Sequence, residues 1–378
     1  MAGSDHFYGR KNPGITVKFC DCLHLQEIFQ KKEREDENMS ETSVNQRKVA
    51  MIGCGFVGSA TAFALMESGL FSEMVLIDAD KNRAEGEALD ISHGLPFARP
   101  MKIYAGDYDD IVDAAIIIVT AGANQKPDET RLDLVQKNVG IFKSIIPEIA
   151  KRNCGGILLI VSNPVDILTY TALKLSGFPE NRVLGSGTVL DTARLKYNLG
   201  EHLNVDSRSV HAFIIGEHGD SELAAWSSAT VSGVPINTFC EMRGHFNHDE
   251  ATERIAENVK NSAYEIIAKK KATYFGVAMA VRRICEAIIR DEKSILPVSN
   301  LMHGEFGISD ISLSMPAIVG AHGVENRIPI TLDGEETEKL QSSAGTLKKI
   351  IGSSWRKVLL IKNSWLTKDM SSYFQNME

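Results

Sequence analysis

The sequence predicts an α/β protein in which a doubly wound parallel sheet is followed by a second, mixed α/β domain. From Lys48 onward, apolar runs of strand length alternate with helical patterns, as in repeated βαβ units. After about residue 185 the pattern changes to longer helices, at 251–270 and 273–290, and then to short strand-like pieces between Gly and Pro turns. A length of 378 residues is enough for two joined domains.

The first domain is predicted from six apolar runs. They cover residues 49–53, 74–78, 101–106, 115–122, 157–162 and 182–185. Because βαβ connections give parallel strands, these runs are expected to share one parallel sheet. The chain is therefore divided into an N-terminal extension that we expect to be disordered, a first domain, a second domain and a C-terminal tail. Their expected bounds are 1–46, 47–188, 189–352 and 353–378.

A closing helix is predicted over residues 333–352. Glu335 and Glu336 lie in its first turn, and Lys348 and Lys349 lie near its end. This distribution of charge complements the helix dipole. The second domain is therefore expected to end on a helix.

Charge and hydrophobicity exclude two classes of partner. The formal net charge is -8 at pH 7, which provides no broad cationic surface for a phosphate backbone, so no nucleic-acid partner is expected. The longest apolar runs have the length of strands, so no membrane partner is expected either.

Residues 1–38 lack the cationic start and apolar core of a secretory signal, and Met39 resembles a natural start.

The six cysteines are too sparse and irregular for a disulfide framework or a zinc ribbon. Cys20, Cys22 and His24 could be interpreted as a metal cluster, but no second ligand pair follows at a suitable spacing. Reduced thiols in a cytoplasmic protein, with no bound metal, are therefore the favoured interpretation.

A glycine-rich turn follows the first strand and opens a helical segment. Its residues are Gly53, Cys54, Gly55, Phe56, Val57, Gly58 and Ser59. Gly53 permits a tight turn, Gly55 permits close approach of a pyrophosphate, and Gly58 permits close packing of helix on strand. Asp78 ends the second strand about 20 residues later, where a carboxylate can bind ribose hydroxyls and would repel a 2′-phosphate. The turn therefore predicts an NAD site, although glycine turns before helices also occur for packing alone.

Three side chains could carry out the reduction of a 2-oxo acid. His218 lies between glycines after the strand-like run 212–215 and can act as a proton donor near neutral pH. Asp191 and Arg194 are three residues apart at a predicted helix start, so both can face one site. Asp191 could orient the His218 ring, and Arg194 could bind a substrate carboxylate. A surface histidine and an ordinary helix ion pair are the alternatives.

A polar segment with a proline, residues 124–131, follows another strand and could close as a lid over the site. Arg131 would then polarise the substrate carbonyl. A solvated loop arginine is the alternative.

Together these segments resemble the L-lactate dehydrogenase family, especially its bacterial members. The resemblance covers roughly residues 47–352 and is carried by 53–59, 121–138, 162–170, 185–194, 216–220 and 271–280. It implies a Rossmann NAD-binding domain, a catalytic domain, pyruvate and L-lactate as substrates, and a homotetramer of paired dimers.

The resemblance also implies roles for particular residues. It agrees with proton transfer by His218 with Asp191, carboxylate binding by Arg194 and carbonyl polarisation by Arg131. It adds two substrate contacts, Asn163 and Thr273, with Asn163 also on the nicotinamide side.

Substrate choice is expected to depend on Gln125, because malate dehydrogenases typically have an arginine at this position for a second carboxylate. A neutral residue there favours pyruvate over oxaloacetate. Malate and branched-chain 2-hydroxy acids remain alternatives, as does a catalytically silent NAD-binding protein.

One departure from the family pattern concerns an effector site. Relatives activated by fructose 1,6-bisphosphate commonly have an arginine where this chain has Lys196, together with a histidine like His211. Lysine binds phosphate without the bidentate fork of arginine, so a low-affinity or absent allosteric site is expected.

Overall fold

Six parallel strands form the first part of the central sheet in the computed structural model, which describes residues 43–123 and 130–352. They are β1 (Asn45–Ile52), β2 (Glu73–Ile77), β3 (Lys102–Ala105), β4 (Ala114–Val119), β5 (Ile157–Ile160) and β6 (Val183–Gly185). Their order across the sheet is β3-β2-β1-β4-β5-β6, and each neighbouring pair is parallel. The predicted doubly wound parallel sheet is therefore confirmed, with its switch in strand order between β1 and β4.

Helices cover both faces of this sheet. The α-helices of the described residues are α1 (Phe56–Ser68), α2 (Lys81–Ser92), α3 (Arg131–Lys151), α4 (Val165–Ser176), α5 (Val189–Leu203), α6 (Ile236–Met242), α7 (His248–Lys270), α8 (Phe275–Ile289) and α9 (residues 334–352). All six residues of β4 are buried, and from Ile116 to Val119 successive residues belong in turn to two different apolar clusters. Two-sided burial explains why this strand is a continuous apolar run rather than an alternating one.

Three antiparallel strands extend the same sheet beyond β6. They are β12 (Ser294–His303), β13 (Ser309–Gly320) and β14 (Gly323–Arg327), and Ser299 of β12 pairs with Gly185 of β6. The sequence predicts only short strand-like pieces between Gly and Pro turns in this region. In the structure Pro297 and Pro316 lie opposite each other within the β12–β13 ladder, so both strands continue through them.

The remaining strands form two small antiparallel sheets. One contains β7 (Val210–His211), β10 (Thr230–Val231) and β11 (Val234–Pro235), and the other contains β8 (Ile214–Ile215) and β9 (Leu223–Ala224). With α5 to α9 they make the second part of the chain mixed α/β, as predicted. The second part is nevertheless joined to the first through one nine-stranded sheet.

Two helix boundaries refine the prediction. α9 begins with a reciprocal cap in which the Glu336 amide donates to Asp333 and the Asp333 amide donates to Glu336. α8 begins at Phe275, so Thr273 lies in the short connection after α7 instead of inside the helix.

Within residues 43–123 and 130–352, no helix is long and apolar enough to cross a membrane. Cys54, Cys154, Cys240 and Cys285 are all buried and unpaired. Cys20, Cys22 and His24 lie outside the described residues, as do nearly all of the N-terminal extension and the whole C-terminal tail.

Candidate active site

The glycine turn has the close contacts that its sequence predicts. Gly53 has a φ of 103°, and a Cβ on it would lie 2.5 Å from the Ala121 nitrogen, so β1 and the segment after β4 nearly touch here. A Cβ on Gly58 would lie 1.9 Å from the Gly53 carbonyl oxygen. A Cβ on Gly55, in contrast, would meet no atom within 4 Å. The turn is therefore tightly packed on the protein side and open at Gly55.

The open side of the turn suits an anion. Gly55 caps α1 without a side-chain hydrogen bond, and the first turn of α1 contains no acidic residue. The first amides of this helix, including those of Phe56 and Val57, therefore point to a position where a phosphate group would be stabilised. This arrangement fits the pyrophosphate of a dinucleotide.

Asp78 connects the end of β2 to the glycine turn. Its Oδ2 accepts a hydrogen bond from the Cys54 amide at 2.7 Å, and its Oδ1 accepts one from the Asp80 amide at 2.9 Å. These bonds fix the carboxylate beside the turn while each oxygen retains a free lone pair. The position suits the ribose contact that the sequence predicts.

His218 and Asp191 form a close pair. The Nδ1 atom of His218 lies 2.6 Å from Oδ2 of Asp191, whose side chain is 2% exposed. Because an ionised carboxylate can only accept, Nδ1 carries the proton of this bond and Nε2 faces the other way. Burial alone would lower the pKa of His218, but Asp191, aided by Glu222 and Asp166, raises it to about 9.

Arg194 lies one turn after Asp191 on α5. Its Nη1 atom donates to Oδ1 of Asp191 at 2.8 Å, and its side chain is 13% exposed. Burial opposes the charged form of Asp191, but His218 and Arg194 together hold its pKa below the ordinary value. The Asp191–Arg194 pair is thus an ion pair within one helix, as one interpretation of the sequence expects, and it is also in contact with His218, as the other expects.

Glu222 is a further acid in this cluster that the sequence did not single out. Asp191, His218 and Glu222 each place one potential ligand atom within 4.8 Å of the others, the one such group of three in the described part of the chain. Burial and the Asp191 charge raise the pKa of Glu222 to about 8, against the opposing effects of His218, Arg194 and Lys260.

Asn138 joins two loops at the carboxyl edge of the sheet. This buried α3 side chain accepts from the Ala123 amide at 2.8 Å and donates to the Asn163 carbonyl at 2.7 Å. Asn163 follows β5, has an exposed side chain and precedes a cis bond to Pro164. The bonds therefore connect the segment after β4 to the predicted substrate contact after β5.

Thr273 is brought near the glycine turn by ring stacking. Phe56, 69% exposed, stacks on Tyr274 with ring centroids 5.5 Å apart. Tyr274 is also covered by the Lys270 ammonium, 3.6 Å from its ring centroid. The connection between α7 and α8 thus lies beside the start of α1.

Four other residues were predicted to take part in substrate or effector binding. Gln125 lies outside the described residues, and Arg131 is the first residue of α3. Lys196 is half-buried on α5, where burial lowers the pKa of its ammonium group. His211 is exposed on β7.

Family models match nearly all of the described chain. Residues 47–185 match the NAD-binding domain of lactate/malate dehydrogenase, and residues 188–357 match its α/β C-terminal domain. The chain is 56% identical over 305 residues to an L-lactate dehydrogenase of Acetivibrio thermocellus, covering 81% of this chain and 96% of the relative. It is 53% identical over 306 residues to L-lactate dehydrogenase 1 of Clostridium acetobutylicum, covering 81% and 98%.

A solved structure agrees with these matches. The ligand-bound minor L-lactate dehydrogenase of Enterococcus mundtii is similar with a TM-score of 0.79 and 44% identity, covering 81% of this chain and 98% of that one. The fold, the glycine turn and the two domain matches lead to one conclusion: the chain belongs to the lactate/malate dehydrogenase family.

Proposed function

We propose that the chain is an NAD-dependent L-lactate dehydrogenase that interconverts pyruvate and L-lactate. The observation that carries this function is the Asp191–His218 pair at 2.6 Å, with Arg194 on the next helical turn. A proton donor and a cation for a carboxylate are thereby held together beside the carboxyl edge of a Rossmann sheet. L-lactate dehydrogenases among the relatives, at 53–56% identity, support the choice of substrate.

The cofactor would be held by the glycine turn and Asp78. The amides of Phe56 and Val57 face the open space beside Gly55 and suit the pyrophosphate, while Asp78 suits the adenosine ribose. When bound, NAD supplies or accepts the hydride. The negative charge of Asp78 disfavours a 2′-phosphate, which supports NAD over NADP.

His218 would exchange the proton. With a pKa raised to about 9, the ring is protonated at neutral pH and can donate from Nε2 to the carbonyl oxygen of pyruvate. In the reverse direction the same nitrogen accepts the hydroxyl proton of lactate. Asp191 keeps Nδ1 protonated and stabilises the imidazolium, so one ring serves both directions.

Substrate binding would depend on four further side chains. Arg194 would pair with the substrate carboxylate, Arg131 would polarise the carbonyl, and Asn163 and Thr273 would contact the substrate. Support comes from the position of Arg194 beside the proton donor, and of Asn163 at the same edge of the sheet. The Arg131 and Thr273 roles rest on their matching motif positions.

Gln125 would decide between pyruvate and oxaloacetate. A second carboxylate in a closed site without a cationic partner is costly, whereas pyruvate has only a methyl group there. The test is NADH oxidation with pyruvate, oxaloacetate and 2-oxoisocaproate in parallel, in the unmodified chain and in Gln125→Arg.

Pyruvate is expected to be the best substrate of the unmodified chain, and Gln125→Arg should shift the ratio of kcat/KM toward oxaloacetate by at least about tenfold. Asn124→Arg adds the same charge one residue earlier and serves as the control. Inactivity on all three substrates would favour a silent NAD-binding protein, and preference for 2-oxoisocaproate would favour a branched-chain enzyme. An unchanged ratio in Gln125→Arg would remove the assigned role of this residue.

The proposal extends to assembly and location. Large apolar side chains are exposed on helices of the single chain, namely Phe63, Tyr264, Ile267, Phe275 and Met279. Such surface favours burial between copies and supports a homotetramer, with a tetrameric mass in light scattering as the expected result. Unpaired buried cysteines support a cytoplasmic location.

Two further assignments are proposed on the sequence. The NAD-binding and catalytic domains would divide between residues 188 and 189, where α5 begins. Lys196 and His211 would form at most a weak site for fructose 1,6-bisphosphate. Titrating activity with this compound is expected to give little activation, and strong activation would contradict the assignment.

A further inference from the structure

The carboxylate of Asp166 is buried next to the loop that carries His218 (residues 216–222, the His218 loop), and it does not exchange the proton in the proposed transfer. Asp166 lies in the first turn of α4 and is 2% exposed. Its Oδ2 accepts from the main-chain amide of His218 at 2.7 Å. Its Oδ1 accepts from the hydroxyls of Ser299 at 2.6 Å and Ser314 at 3.2 Å. One side chain thus joins α4, β12, β13 and the His218 loop.

The loop is also held at the two residues that precede His218. Gly216 forms an isolated β-bridge with Ser314, with main-chain bonds of 2.9 and 3.0 Å. The amide of Glu217 donates a hydrogen bond to the Ser343 hydroxyl of α9 at 3.0 Å. Three consecutive peptides are therefore fixed by partners that are distant in sequence, and Asp166 holds the peptide that carries the imidazole.

A purely structural role would explain the two serine bonds, since they tie α4 to the antiparallel strands. It does not explain why the remaining oxygen binds the peptide of His218. A neutral amide or hydroxyl could accept that bond without the cost of a buried charge. Burial raises the pKa of Asp166 to about 6, so the carboxylate is ionised at neutral pH and its charge acts on the nearby ring.

We propose that Asp166 is a positioning residue that holds the His218 peptide in register with Asp191 and adds a second negative charge behind the imidazolium. The proposal rests on the proposed proton transfer by His218. The titratable and charged groups around the ring are Asp191 and Arg194 of α5, Asp166 of α4, and Glu217 and Glu222 of its own loop, with Lys260 of α7 acting on Glu222.

Asp166→Asn tests the charge, because the amide oxygen can still accept from His218 while the negative charge is removed. Pyruvate reduction should lose about 10- to 100-fold in kcat/KM at pH 7.5, because a charged hydrogen bond is replaced by a neutral one. The alkaline limb of the pH profile should also move to lower pH. NADH affinity, measured by fluorescence, should stay within about twofold of the unmodified chain, since Asp166 does not contact the glycine turn.

Asp166→Glu tests the geometry, because it keeps the charge and displaces it by one methylene. Activity should fall while the alkaline limb stays in place. Ser299→Ala is the matched control: it removes a hydroxyl bond to Asp166 but leaves the bond to His218. It should lower the melting temperature and leave the pH profile unchanged.

The outcomes separate this proposal from the proposed function. An unmodified chain that does not reduce pyruvate contradicts the function itself. With an active unmodified chain, wild-type kinetics in Asp166→Asn, or the same pH shift in Ser299→Ala, would overturn the positioning role. Loss of NADH binding and of native circular dichroism in both Asp166 variants would also overturn it, because Asp166 would then serve the fold as a whole.

Discussion

Replacing Asp191 by asparagine should shift the pH range in which the chain reduces pyruvate. Asp191 is the principal group that raises the pKa of His218 from the ordinary 6.5 to about 9, against the effect of burial. This rise corresponds to about 3 kcal/mol of preference for the imidazolium. Without the carboxylate, burial again opposes the charged ring, and the ordinary pKa of 6.5 serves as the reference for the variant.

The loss of activity can be worked out from the protonated fraction of His218. If only the imidazolium donates, a fall from about 9 to 6.5 reduces that fraction about 10-fold at pH 7.5 and about 80-fold at pH 8.5. Loss of the correct tautomer adds to both values, so they are lower bounds. The expected signature is a loss of kcat/KM that grows with pH up to about pH 9.

The assay is kcat/KM for pyruvate between pH 5.5 and 9.5 at saturating NADH, which reports the groups of the enzyme before pyruvate binds. Asp220→Asn is the matched control, because Asp220 lies two residues after His218 on an exposed part of its loop. Its carboxylate accepts a hydrogen bond from the Tyr264 hydroxyl at 2.8 Å. An alkaline limb still near pH 9 in Asp191→Asn, or the same displacement in Asp220→Asn, would refute the reasoning.

Four other variants have definite expected results. The pKa of Glu222 is about 8 in the folded chain, above the ordinary 4.5, so its contribution to stability falls as pH rises between these values. The melting temperature of Glu222→Gln relative to that of the unmodified chain should therefore be about 2–4 °C higher at pH 8.5 than at pH 5. An equal difference at both pH values would contradict this. Gly58→Ala should cost about 1–3 kcal/mol in urea unfolding, because its Cβ would lie 1.9 Å from a carbonyl oxygen. Gly55→Ala should unfold like the unmodified chain but bind NADH about tenfold more weakly in fluorescence titration; normal affinity would exclude close approach of the pyrophosphate there. Asp78→Asn keeps an acceptor for the Cys54 amide but removes the charge, so kcat/KM for NADPH relative to NADH should rise about tenfold, and no rise would show that the charge does not exclude a 2′-phosphate.

The sequence was informative wherever a site is built from local pattern. The glycine turn was recognisable because Gly53 and Gly58 meet requirements of backbone geometry within one strand-turn-helix unit. The parallel strands were recognisable because burial on both faces makes them continuous apolar runs. Asp191 and Arg194 were paired correctly because three residues on a helix bring two side chains to one face.

Other parts of the site depend on contacts between distant segments. Asp166, Ser299 and Ser314 are ordinary residue types, and their roles arise only when α4 meets β12 and β13. Asn138 likewise acts by joining two loops. No local spacing marks such residues, although a buried acid directly after the Ser-Asn-Pro-Val segment could have been noted as a carboxylate in need of partners.

Gln125 and Arg131, in contrast, are singled out by the sequence and not by contacts in the structure. Gln125 lies outside the described residues, so the substrate choice assigned to it depends on the chemistry of the residue type. Arg131 begins α3, which places the residue at a helix start beside that segment.

The continuous nine-stranded sheet also has a consequence for how the chain is completed during synthesis. The edge of β6 is covered by β12, and β12 follows β6 by more than a hundred residues in the chain. While the ribosome is still making the second half, the NAD-binding half therefore has an open sheet edge, which is a site for pairing with other chains. Translation stalled between α5 and α8 should yield chains that aggregate through this edge. Binding of NADH before synthesis is finished would not protect it, because the edge is closed only when the last strands arrive.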